Sequence, residues 1–244
     1  MGTDKRSTSE SVIFDLDGTL LDTLEDIADA MNRALERNGY PGATLAVYRT
    51  RVGWGLSELV RRSLPEDDAA SPEVVAAIAG AFREIHFAEP VIKTRPYPGI
   101  VGIVRDLYRR GVPMFVYTNK PDGIAGTVVD TLFSPEALEI DGPPFVRVLG
   151  QRDDIPRKPD PTGAFSLLAE AGLSPGFCRF VGDSEIDIET ARNAGCIAIG
   201  VTWGFRDTDT IERAEPDHIC YSSDDLRRVL ALDETDLHPR GGAQ

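Results

Sequence analysis

Residues 12–22 read VIFDLDGTLLD. Three apolar residues, Val12, Ile13 and Phe14, lead into two carboxylates two positions apart, Asp15 and Asp17, and then into Gly18 and Thr19. A short apolar run closed by turn residues reads as a buried strand. A strand end does not gather negative charge unless something positive is expected there. In extended backbone, residues i and i+2 point the same way, so both carboxylates can face one ligand. Gly18 lets the chain turn sharply behind them.

The whole chain has 244 residues, 41% of them hydrophobic, enough for one large domain or a domain with an insertion. No run approaches the roughly 18 apolar residues of a membrane span. The opening MGTDKRSTSE has no apolar centre to serve as a secretory signal, and Arg6 stands where a myristoylation signal needs Ser or Thr. Residues 1–10 and 236–244 are expected to be disordered tails, and the protein to be cytoplasmic with no membrane partner. A net charge of −14 disfavours a nucleic-acid partner. Cys178, Cys196 and Cys220 fit neither zinc nor CxxC spacing and read as reduced core thiols. His86, His218 and His238 lie outside every candidate motif and read as partly exposed surface.

A helix follows the opening strand. Leu24, Ile27, Ala28, Met31, Ala34 and Leu35 share one helical face, Thr23 with Asp26 has the capping-box pattern, and Gly39 sits where a helix stops. Residues 40–95 read as further helices without strands, one of them opened by Ser71 and Pro72 and carrying Val75, Ile78, Phe82 and Ile85. Pro96, Pro98 and Gly99 mark a linker. Beyond it apolar strands alternate with helices: strands at PMFVYTN, FVRVL, CRFVGD, CIAIGV and HIC, and helices around Ile103, Val128, residues 162–171, residues 185–194 and SSDDLRRVL. This predicts an α/β fold, a Rossmann-like parallel sheet with helices on both faces, into which an all-helical unit is inserted after the first strand. The boundaries are 11–21 and 96–235 for the α/β core and 22–95 for the insertion.

Ligands of open parallel sheets bind at the carboxyl ends of strands. Those ends carry Asp15 and Asp17, then Thr118 and Asn119, then Lys158 in RKPDP, then Asp183 and Asp187 in GDSEID. Four aspartates against one lysine leave a formal charge of −3. Such a set repels itself unless a cation joins it, and an all-oxygen set suits a hard cation such as Mg2+. Taken singly, each residue has a plainer role: Asp17 and Gly18 a turn, Lys158 a surface lysine, Thr118 or Asp183 a helix cap. Ser184 reads as a cap. Four such coincidences at four strand ends are improbable.

DLDGT, Thr118, Lys158 and GDSEID, in that order on a strand–helix chain, resemble the haloacid dehalogenase superfamily. The helical insertion resembles its C1-type cap, and VGWGLSELVRRSLPED, TNKP and VGDSEIDIETARNAG resemble its phosphoglycolate phosphatase branch. The resemblance implies Asp15 as a nucleophile forming an aspartyl-phosphate and Asp17 as general acid and then base. It implies Thr118, Asn119 and Lys158 as phosphate-binding groups, with Thr118 and Lys158 also catalytic. Mg2+ would be held by Asp15, Asp183 and the main-chain carbonyl of Asp17, with Asp187 orienting the site.

The implied substrate is a small phosphorylated metabolite, 2-phosphoglycolate first. A phosphomutase of the β-phosphoglucomutase type, a sugar phosphatase and a non-catalytic phosphate-binding module are the alternatives. The chain is expected to be a monomer or homodimer. Residues 52–55, VGWG, read either as a glycine-hinged turn or as a loop facing the site. Arg51, Arg61 and Arg62 read either as a clamp for a substrate carboxylate or as a solvated face.

Overall fold

The computed structural model describes residues 10–231. Of the expected tails only Glu10 falls in that range, and its carboxylate pairs with Arg179 at 3.1 Å; His238 lies outside it. The strands are β1 (Ser11–Phe14), β2 (Leu21–Asp22), β3 (Arg95–Pro96), β4 (Met114–Pro121), β5 (Arg147–Gln151), β6 (Cys178–Gly182), β7 (Ile197–Val201) and β8 (His218–Cys220). The helices are α1 (Leu24–Arg37), α2 (Leu45–Arg51), α3 (Leu56–Arg61), α4 (Glu66–Ala69), α5 (Pro72–Ala88), α6 (Ile100–Arg109), α7 (Asp122–Leu132), α8 (Pro135–Leu138), α9 (Thr162–Glu170), α10 (Glu185–Ala194), α11 (Thr208–Arg213) and α12 (Ser223–Val229).

Six strands make one sheet in the order β5-β4-β1-β6-β7-β8, every neighbouring pair parallel. The chain lays β4 and β5 on one side of β1 and then returns to lay β6, β7 and β8 on the other. That reversal opens a crevice at the carboxyl end of β1. The apolar run at residues 12–14 is continuous because both faces of β1 are covered. Val12 and Phe14 pack into a cluster with α6, α7 and α12, whereas Ile13 packs into another with α9, α10 and α11. All three cysteines are buried free thiols, as expected.

Helices α1, α2, α3 and α5 form a third apolar cluster, built on Ile27, Met31, Leu35, Tyr48, Leu59, Ile78 and Phe82. The α1 stripe and its Gly39 stop form as the spacing predicts, with Gly39 at φ +81°. Ser71 caps α5 by accepting from the Val74 N–H.

Three local expectations need correction. The insertion does not return through an unstructured linker: Leu21 pairs with Pro96 and Asp22 with Arg95 in a two-stranded antiparallel ribbon, so the chain leaves and re-enters the sheet at one point. Proline is tolerated there because the ribbon is all edge. The Thr23 capping box does not form, since Thr23 has φ −110° and ψ 0° rather than extended backbone, and its side chain makes no cap bond. Asp26 instead turns to the returning chain and accepts from the backbone N–H groups of Ile92, Lys93 and Thr94. Finally, His86 is 1% exposed rather than at the surface. It follows Phe82 by one helical turn on the apolar face of α5, with ring centroids 5.2 Å apart. Burial, aided by the nearby Lys120 charge, pushes its imidazole down to about 3, so it is neutral.

Candidate active site

The carboxyl ends of β1, β4 and β6 and the loops after β5 and β7 enclose one cavity against the helical unit. Asp15, Asp17, Thr118, Asn119, Lys158, Asp183 and Asp187 all line it, so the structure brings together every site residue expected from the sequence.

The turn after β1 is held by the Asp15 N–H donating to the Val181 carbonyl and the Gly18 N–H donating to the Leu21 carbonyl. Gly18 has φ +91°, and a Cβ there would stand 2.3 Å from Asp183 Oδ2. Only glycine allows the DLDG turn to pass this close to the second acidic loop. Asp183 is fixed by the Phe205 N–H, 2.6 Å from its Oδ2, and by the Thr19 hydroxyl at 3.4 Å. Asp187 completes a capping box with Ser184, whose hydroxyl donates to Asp187 Oδ2 at 2.5 Å. Ser184 is thus a cap, as read.

Lys158 Nζ donates to Asp15 Oδ1 at 2.7 Å and to Asp187 Oδ1 at 2.6 Å. Burial pulls its ammonium down, but Asp15 and Asp187 outweigh this and raise it overall, so it stays charged. Asn119 positions the loop that carries Lys158. Its Oδ1 accepts from the Lys158 N–H, and its Nδ2 donates to the carbonyls of Lys158 and Gly53. The Asn119 amide is therefore committed to backbone.

Burial pushes the Asp15 carboxyl up to about 7, opposed by Lys158 and reinforced by Asp187. Asp183 is pushed well up for the same reasons: burial first, then Asp187 and Asp15. Carboxylate oxygens of Asp15, Asp183 and Asp187 lie within 4.8 Å of one another, all three residues buried. Buried like charges this close call for a cation, and an all-carboxylate set is the right chemistry for a divalent hard ion.

Sequence reasoning missed Lys120. It is buried, lines the cavity, and its Nζ donates to Asp17 Oδ1 at 3.1 Å and Oδ2 at 3.3 Å. Four aspartates now face two lysines, so the lining carries −2 from these groups rather than the −3 expected. Lys120 reaches the cavity through a bulge. Tyr117 pairs with Leu149 and Pro121 with Gln151, so four steps along β4 face two along β5. Consecutive residues Thr118, Asn119 and Lys120 all line the cavity as a result, which simple alternation would forbid. Gly150 accommodates the bulge: a Cβ there would lie 2.4 Å from Asp122 Cα and 2.8 Å from the Lys120 carbonyl oxygen. The available signal was a lysine inside an apolar strand just before Pro121.

The helical unit closes the cavity with Ile27, Val52, Leu56, Leu59 and Phe82. Of residues 52–55, Val52, Gly53 and Gly55 line the site. Arg51, Arg61 and Arg62 do not line it: Arg51 reaches Ser63, Arg61 is exposed, and Arg62 pairs with Glu58 and lies over Trp54. The loop after β7, also missed, joins the two parts. Arg206 pairs with Glu185 and donates to the carbonyls of Arg49 and Val52, while Arg49 donates to the Gly204 carbonyl.

The family model described as haloacid dehalogenase-like hydrolase matches residues 12–201. The chain belongs to the haloacid dehalogenase-like hydrolases. A phosphoglycolate phosphatase of Pseudomonas putida is 35% identical over 227 residues, 90% of this chain and 78% of that protein. One of Vibrio cholerae is 34% identical over 227 residues, 91% of this chain and 95% of that protein. The crystal structure of a predicted phosphoglycolate phosphatase from Haemophilus somnus superposes with a TM-score of 0.80 at 27% identity, covering 92% of this chain and 99% of that one. This haloacid dehalogenase-like hydrolase therefore has phosphatases among its relatives, and its cavity carries the acidic and basic groups that phosphoryl chemistry needs. Among the described residues no helix is long and apolar enough to cross a membrane.

Proposed function

We propose that this enzyme is a Mg2+-dependent phosphomonoesterase that hydrolyses a small phosphorylated acid, 2-phosphoglycolate first, through an aspartyl-phosphate on Asp15. The observation that carries the reading is the contact of buried Lys158 with Asp15 at 2.7 Å, on the floor of a cavity that Asp17 also lines. The substrate choice rests on the relatives' names and on a small cavity walled by apolar side chains. Residues 22–95 serve in this reading as the cap over a core formed by 11–21 and 96–235.

Lys158 fixes one Asp15 oxygen and leaves the other to attack phosphorus. The Asp15 O–P bond forms as the ester P–O bond breaks, and Asp17 gives its proton to the leaving oxygen. Asp17, now a carboxylate, takes a proton from water. The resulting hydroxide attacks phosphorus, the acyl-phosphate bond breaks, and Asp15 is regenerated with phosphate released. Thr118, 2% exposed, presents its hydroxyl to a phosphoryl oxygen, and Lys158 offsets the charge that the transfer gathers. Asp15, Asp183 and the Asp17 carbonyl would hold Mg2+, with Asp187 alongside, and the ion would supply charge neutralisation at the phosphoryl group.

Phosphate release from a panel of small phosphate esters, with and without Mg2+, tests the proposal. Highest kcat/KM on 2-phosphoglycolate supports it. Preference for a hexose phosphate, or conversion of β-glucose 1-phosphate to the 6-phosphate, moves the enzyme to the sugar phosphatase or mutase reading.

A further inference from the structure

We propose that Lys120 is the carboxylate anchor of the substrate, and that the site selects phosphate esters carrying a carboxylate on the carbon next to the ester oxygen. The inference rests on the phosphomonoesterase reading above and assigns the group that recognises the leaving part of the molecule.

Three observations converge on Lys120. The first is its neighbour. Lys120 Nζ is 3.1 Å from Asp17, the group that protonates the ester oxygen. Whatever hangs from that oxygen must lie beside the lysine. In an α-carboxylate ester the carboxyl carbon is two bonds from the ester oxygen, within reach of an ammonium already touching the acid.

The second is its capacity. An ammonium has three donors, and among the described residues Asp17 is the hydrogen-bond partner of Lys120 Nζ. Its neighbour His86 is neutral and adds no competing charge. The other cations of the lining are committed: Lys158 to Asp15 and Asp187, and Arg206 to Glu185 and two backbone carbonyls.

The third is the opposite wall. Ile27, Leu56, Leu59 and Phe82 of the helical unit offer no polar group to a sugar hydroxyl, and Arg51, Arg61 and Arg62 stay outside the cavity. A carboxylate placed here finds one ionic partner, in the core rather than in the helical unit. A hydroxyl-rich leaving group would lose its water without replacement.

The test compares kcat/KM on 2-phosphoglycolate, on the phosphate ester of 3-hydroxypropionate and on 2-hydroxyethyl phosphate, for the wild type, Lys120→Met and Lys120→Arg. The wild type should rank them in that order, with about 10⁴-fold between the first and last, as expected of a site whose buried polar group is left unpaired by the analogue. Lys120→Met should collapse that ratio to within about threefold, chiefly through KM on 2-phosphoglycolate, and Lys120→Arg should restore part of it.

If Lys120→Met lowers all three substrates together and keeps their ratio, the lysine serves only to hold Asp17 and the anchor is wrong. A wild type without preference for the carboxylate overturns the anchor even if neither variant folds, and leaves phosphatase activity standing. An enzyme inert toward every ester in the panel overturns the underlying reading as well.

Discussion

Asp187 Oδ1 lies 2.6 Å from Lys158 Nζ, so the first turn of α10 steadies the lysine that touches Asp15. The same carboxylate caps its own helix through Ser184, which fixes its rotamer. One side chain thereby couples the helix start, the lysine and the acidic cluster.

Asp187→Asn should keep the fold and lower kcat by about 10–100-fold, with a matching rise in the Mg2+ concentration for half-maximal rate. Steady-state kinetics across a Mg2+ titration measures both. An unchanged Mg2+ requirement would remove Asp187 from the metal's surroundings.

Asp15, Asp183 and Asp187 are mutually repelling and buried. Chelator-treated protein should therefore lose turnover and recover it with Mg2+. A readout independent of activity is melting: at about 100 times its dissociation constant, Mg2+ should add about 2.7 kcal/mol, or roughly 5–10 °C for a chain of this size. Unchanged melting would place the ion elsewhere.

Asp26 ties α1 to the returning chain. Burial pushes its carboxyl up, but hydrogen bonds from Thr94, Ile92 and Lys93 outweigh this and hold it below the usual range. A folded value below the unfolded value of about 3.9 gives stability that is complete above that pH and lost as pH falls through the folded value. Asp26→Ala should cost about 2–4 kcal/mol at pH 7. Chemical unfolding measured from pH 7 downward should show the gap to wild type closing only below about pH 4.

The sheet and its cavity were legible because continuous apolar runs and helical stripes survive packing, and because the charged residues sit where strands end. Asp15, Asp17, Asp183 and Asp187 were found this way. Lys120 was not, because a bulge in β4 overrides alternation, and its cause lies on another strand, at Gly150. His86 and Asp26 escaped for a similar reason. A histidine on an apolar helix face and an acid in a first turn both have common local roles. The partners that set their environment are distant in sequence: Lys120 lies 34 residues from His86, and the backbone of residues 92–94 lies 66–68 residues from Asp26. The Arg206 contacts also depend on how two parts of the chain meet, which no local pattern records.

The central claim is that Asp15 carries the phosphoryl group and Asp17 moves the protons. p-Nitrophenolate leaves without a proton, so Asp17→Asn should still be phosphorylated by p-nitrophenyl phosphate, whereas the water step lacks its base. Rapid-quench mass spectrometry of Asp17→Asn should therefore trap a phosphoenzyme with its phosphoryl group on Asp15, formed in a burst and decaying slowly. Absence of both burst and adduct in a folded, Mg2+-binding variant, or an adduct on another residue, would contradict the account.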